Sequence, residues 1–133
     1  LRGRGAFLFE YGHSLHKSFL YGDSNKYLEE ACRYSSDPMV LNVMGKNYQE
    51  QHCYEQAEKF FYRAIHRLPG RIYPYYLLAN LYAEPDFYKP DKLKEAADSV
   101  LTKEPKVHST AIDEMRSEVR EILKRKDKCE IKK

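Results

Sequence analysis

Cysteine is scarce in this chain, and its three copies, Cys32, Cys53 and Cys129, are odd in number and widely spaced with no CxxC pair. That excludes both a disulfide framework and a local zinc site, and leaves ordinary thiols. Long apolar runs are missing as well. The two richest stretches, Met39 to Met44 and Tyr75 to Ala83, are broken by polar residues and fall well short of the ~20 residues that cross a bilayer. No single sign of charge dominates: charged residues make up 32% of the chain, yet the net charge is only +3. Nucleic acid and anionic membrane are therefore not expected as partners. The sequence begins at Leu1 without methionine and lacks a charged segment followed by an apolar one, so it reads as a piece of something longer whose targeting signal lies elsewhere.

What is present is length enough for one core and a strong internal period. A chain of 133 residues buries roughly 65–70% of its unfolded surface, so apolar residues alone can hold it together. Gly12, Gly45 and Ala79 recur at spacings of 33 and 34 residues. Leu8, Leu41 and Tyr75 each precede one of them by four positions, and Leu15, Tyr48 and Tyr82 follow by three. Ser24, Leu28 and Ala31 match Ala57, Phe61 and Ala64 at the same period. Leu41, Met44, Gly45 and Tyr48 form one face of a first helix, and Ala57, Phe61 and Ala64 form the matching stripe of a second. Gly45 and Ala57 let the two helices approach while Tyr48 and Phe61 fill the space beside them. "EQHCY" is the polar turn between them, and Pro38 and Pro69 mark the ends of the unit.

These residues resemble the tetratricopeptide repeat. Leu41, Met44, Gly45, Tyr48, Ala57, Phe61, Ala64 and Pro69 occupy its eight signature positions, with Leu41 where tryptophan is usual and Met44 where leucine is. The resemblance implies an all-α, right-handed solenoid of three helical hairpins at about 5–37, 38–71 and 72–105, closed by a capping helix at about 109–126, in a single domain of residues 1–127 with a basic tail at 128–133. The first unit departs from the pattern at Ser24, where alanine is usual. The third follows it through Tyr82, after which "EPDFYKPD" reads as an extended, proline-stiffened insertion of about five residues before Ala96. After Pro105, Ser109 or Thr110 caps a helix whose stripe of Ile112, Met115, Val119, Ile122 and Leu123 is apolar and whose other face is charged.

Candidate chemistry is thin. His13 and His16 with His52 or Cys53 lack a third ligand at suitable spacing for a metal, and no cofactor motif is present. Catalysis by Cys32 or Cys53 would need a positioned base and an oxyanion site, which helical hairpins seldom supply, so the fragment reads as a non-enzyme. In the repeat family, first-helix positions between the signature residues line a binding groove. Carried over, these are Phe9, His13, His16 and Lys17; Asn42, Lys46, Gln49 and Glu50; and Tyr73, Tyr76 and Asn80. Such amides, lysines and tyrosines suit an extended peptide, or a glycan through stacking. Twelve tyrosines, five of them in the third repeat, leave a second reading open, in which Tyr73 and Tyr76 only pack against neighbouring structure. The carboxylate-clamp pattern of the family is absent, since Phe9 and His13 stand where it needs lysine and asparagine. Arg67 and Arg71 beside the groove read as a solvated helix end.

Three longer strings, "SSDPMVLNVMGKNYQ", "AEKFFYRAIHRLPGRIYPYYLLANLYAEP" and "KVHSTAIDEMRSEVREIL", resemble the C-terminal repeat region of bacterial O-antigen ligase or polymerase-like membrane proteins, over residues 5 to 125. The resemblance implies a non-catalytic scaffolding domain on the periplasmic face of a bacterial membrane, attached to a membrane-spanning enzyme of surface polysaccharide assembly. Its partner would be a protein, a peptide or the glycan itself. Without that resemblance a generic, cytoplasmic tetratricopeptide adaptor is the expectation.

Overall fold

The computed structural model describes residues 2–131, with side chains from 3 to 127. Every regular element among them is helical: α1 (Arg2–Lys17), α2 (Tyr21–Ala31), α3 (Pro38–Glu50), α4 (Tyr54–Arg67), α5 (Tyr73–Tyr82), α6 (Pro90–Thr102) and α7 (Thr110–Ile131), with one 3-10 turn at Pro85–Phe87. The chain forms two compact units, Leu1–Pro69 and Gly70–Lys133.

In the first unit, α1 packs on α2 and α3 on α4 as two hairpins. Asp37 starts α3: its carboxylate accepts the Met39 N–H at 2.9 Å while Pro38 fills the first helical position, where no amide donor is missed. The repeat seen in the sequence extends to the backbone. Phe19 and His52, 33 residues apart, both turn the chain in the left-handed region, at φ 66° and 62°. The Leu20 N–H then donates to Leu15 O at 2.9 Å, and Cys53 N–H to Tyr48 O at 2.8 Å. Neither turn carries the glycine that such a φ favours, so the hairpin packing must hold both residues there.

Glycine elsewhere serves close approach. A Cβ on Gly12 would stand 2.8 Å from Leu28 Cδ2, and one on Gly45 would lie within 3.0 Å of three Phe61 ring atoms. The small residue of one helix thus receives the large residue of the next. Leu8, Leu28, Ala31, Val40, Val43 and Met44 form a buried cluster, with Phe9, Cys32 and Phe60 packed against it. Leu41, Ala57, Phe61 and Ala64 are fully buried, whereas Tyr48 is half-buried, its ring tilted against Phe60 at 5.2 Å.

In the second unit, α5 and α6 form a hairpin and α7 packs on both. The segment expected to be extended holds the 3-10 turn, and Phe87 stacks on Tyr82 at 6.2 Å. The insertion is also shorter than the Ala96 alignment implied. Lys89 N–H donates to Tyr82 O at 3.2 Å, the same hairpin-closing bond that joins 20 to 15 and 53 to 48, so the third hairpin is longer by two residues. Counting from that bond, Leu93, Ala97 and Val100 take the places of Ala57, Phe61 and Ala64, and all three are buried. The pair corresponding to Gly45 and Phe61 is then Ala79 and Ala97, both at 0% exposure. A methyl added on one helix is offset by a ring removed from the other.

Ser109 precedes α7 and its hydroxyl accepts the Ile112 N–H at 3.4 Å, while Val119 and Ile122 are buried along its apolar stripe. α7 continues to Ile131, beyond the expected capping helix and into the predicted tail. No described helix is long and apolar enough to cross a membrane.

Candidate binding surface

The residues expected to line a groove divide between the two units. In the first, Phe9, His13 and His16 lie at i, i+4 and i+7 on α1 and their rings form a ladder, with Phe9 to His13 at 5.5 Å and His13 to His16 at 6.2 Å, nearly parallel in both steps. Lys17 on the same helix and Lys46 on α3 lie near enough to act on His13. Partial burial, then Lys17, His16 and Lys46 in that order, hold the His13 imidazole below its ordinary value. His13, Lys17 and Lys46 therefore lie within electrostatic reach of one another across α1 and α3.

Asn42, Lys46 and Gln49 repeat at i, i+4 and i+7 along α3, one stripe of that helix. Lys46 and Gln49 are half-buried and engaged with neighbouring groups. Asn42 differs from both. It is only 4% exposed, and its Oδ1 is buried without a hydrogen-bond partner. A buried amide oxygen left unpaired costs about 1–3 kcal/mol, so a fold does not ordinarily retain one without use for it.

Beneath this surface lies a polar cluster that sequence reading missed. Asn47 Oδ1 pairs with His16 Nδ1 at 2.6 Å, and its Nδ2 donates to Ser24 Oγ at 2.9 Å and to Asn25 Oδ1 at 2.8 Å. Ser24 in turn donates to Gly12 O at 2.6 Å. Every polar atom of the Asn47 side chain is satisfied, which requires the proton on His16 Nδ1 and directs the Nε2 edge of the ring away from the cluster. The cluster ties α1, α2 and α3 together and explains why serine replaces alanine at 24. The available signal was asparagine at 25 and 47, since asparagine is disfavoured inside helices unless its amide has work there.

In the second unit, Tyr73 and Tyr76 stack at 6.2 Å on α5, and Asn80 Nδ2 donates to Tyr76 O at 3.0 Å. The Tyr76 hydroxyl donates to the Glu118 carboxylate of α7. Desolvation first, then that bond and the Glu118 charge, push the Tyr76 phenol up to about 12. Tyr76 thus fastens α5 to α7, the packing role that the sequence left open for it.

Among the described residues no three His, Cys, Asp or Glu side chains converge as a metal site would require. Cys32 and Cys53 are free thiols; Cys32 donates to Met44 Sδ at 3.9 Å and its burial pushes its pKa up, the wrong direction for a nucleophile. Cys129 lies outside the described side chains.

No protein-family model matches the sequence, and no curated protein matches it. Solved structures do resemble the fold. The chain superposes on PcrH, crystallised in complex with the chaperone binding region of PopB, with a TM-score of 0.75 and 12% identity over 92% of this chain and 96% of that one. It is similar to the Sgt2 TPR domain from Aspergillus fumigatus with a TM-score of 0.72 and 15% identity, over 93% and 82% of the two chains. This is an all-α fold of the tetratricopeptide type. At such low identity the likeness carries the fold and no further property.

Proposed function

We propose that the chain is a non-catalytic interaction module that takes an extended segment of a partner protein on the α1/α3 face of its first unit. The observation that carries this reading is Asn42, whose Oδ1 has no hydrogen-bond partner and is closed off from the surface in the free chain, so that an extended ligand's backbone N–H pairs with it once the side chains above it move aside. The Phe9–His13–His16 ladder offers flat stacking surfaces beside it, and Lys17 and Lys46 favour an acidic or carbonyl-rich segment. One structural neighbour, PcrH, was solved holding a region of another protein, which is consistent with this use of the fold.

A displayed library of extended peptides, selected against the intact chain, tests the proposal. Peptides retained by the wild type should be lost on His13→Ala, Lys46→Ala or Asn42→Leu, with helical circular dichroism unchanged. Retention by all three variants sinks it. Soluble polysaccharide in place of the peptides tests direct glycan binding, and saturable shifts at Phe9 and His13 would favour that class over protein.

We further propose the finer placement, a periplasmic appendage of a membrane O-antigen ligase-like protein, on the three resembling strings alone. Sequencing the gene upstream of Leu1 decides it. About ten membrane-length apolar segments would support the placement, and a wholly polar upstream region would leave a generic adaptor.

A further inference from the structure

The second unit holds a pocket of about 300 Å3 where the start of α5, the linker after Pro105 and the first turns of α7 meet. Its apolar wall is made by Ile72, Val107, Ile112 and Met115, and two cations, Arg71 and Lys106, also line it. No acidic side chain does. Arg71 and Lys106 are exposed and have no ion-pair partner among the described residues. Val107, in the seven-residue linker between α6 and α7, is 75% exposed and forms the open edge of that wall. Positive charge without counter-charge, beside an apolar wall with an uncovered valine, is complementary to an anion that carries an apolar body. The volume is at the low end for small-molecule sites and too small for a long acyl chain.

We propose that this pocket binds a small organic carboxylate with a compact branched or aryl body, the carboxylate held by Arg71 and Lys106 and the body covering Ile72, Val107, Ile112 and Met115. A free short-chain acid and an apolar residue at the end of a polypeptide both present this chemistry. The site shares no residue with the α1/α3 face, so its failure and the failure of the peptide-binding reading are separate events.

The test is a methyl and amide NMR titration of the full chain with 4-methylpentanoate, its neutral amide and N-acetyl-leucine. Saturable shifts at Val107, Ile112 and Met115 are expected with the acid, and the amide should bind roughly tenfold more weakly because it forfeits the charge-assisted bonds. Arg71→Gln, an exposed change that leaves the core alone, should weaken the acid by a similar factor with the spectrum otherwise unchanged. N-acetyl-leucine binding at least as tightly as 4-methylpentanoate assigns the site to a chain terminus; binding of the free acid alone assigns it to a small molecule. Equal shifts with acid and amide, indifference to Arg71→Gln, or no saturable shift with either acid overturns the proposal.

Discussion

At the scale of single residues, the first unit is organised by asparagine. Asn47 satisfies three neighbours at once, His16, Ser24 and Asn25, all more than twenty positions away in sequence. Asn47→Leu removes those partners while keeping the volume, leaving Ser24 and Asn25 buried with unmet bonds. A loss of about 2–3 kcal/mol in urea-unfolding free energy is expected; a change under about 0.5 kcal/mol would show that the cluster is not tied as described. His13 supplies a second residue-scale prediction. Its proton affinity in the folded chain is lowered, chiefly by burial and then by Lys17, His16 and Lys46. The unfolded chain therefore binds the proton more readily. The stability His13 contributes is present above its ordinary value of 6.5 and is lost as the pH falls through the lower folded value. His13→Gln should flatten the fall in urea midpoint between neutral and mildly acidic pH, and an unaltered slope would contradict the assignment.

At the scale of elements, helix pairing is set by matched small and large residues. Gly45→Ala gains about 1 kcal/mol of helix propensity but drives a methyl into the Phe61 ring, at about 1–3 kcal/mol. The clash should win, giving a net loss that Phe61→Leu partly restores in the double variant. Gly3→Ala, with nothing within 4 Å of the new methyl, should instead stabilise slightly. Thermal unfolding of the four proteins checks both signs. The same pairing shows what was legible. Gly45 could be read as a point of close approach and Phe61 as a space filler because their spacing repeats, but that the Phe61 ring lies directly over Gly45 shows only in the structure. The third hairpin was misaligned on Ala96 because an alanine there mimics the signature residue, while the true positions, Leu93 and Ala97, exchange large for small against Ala79. Compensated volume preserves the fold and hides the pattern. The turns at Phe19 and His52 were equally hidden, since their left-handed backbone is imposed by packing rather than by glycine.

At the scale of the whole molecule, periodicity alone was enough for an all-α chain of repeated hairpins, and the likeness to PcrH and the Sgt2 TPR domain agrees with it. The candidate surface was legible only in outline. Counting along α1 and α3 locates His13, Lys17, Asn42 and Lys46, but no count could show that the buried Asn42 Oδ1 is left without a hydrogen-bond partner, or that Tyr76 is engaged by Glu118. Those facts depend on groups brought together by folding from distant positions.

The most direct measurement is an NMR titration of wild type and Asn42→Leu with the tightest peptide selected from the library. The variant exchanges an unpaired amide for an apolar group of like volume, so it should be at least as stable as the wild type. The account predicts shifts along Phe9, His13 and Lys46 in the wild type and binding weakened by about tenfold or more in the variant. Equal affinity in the two proteins would contradict the claim that the buried Asn42 oxygen is kept for a ligand.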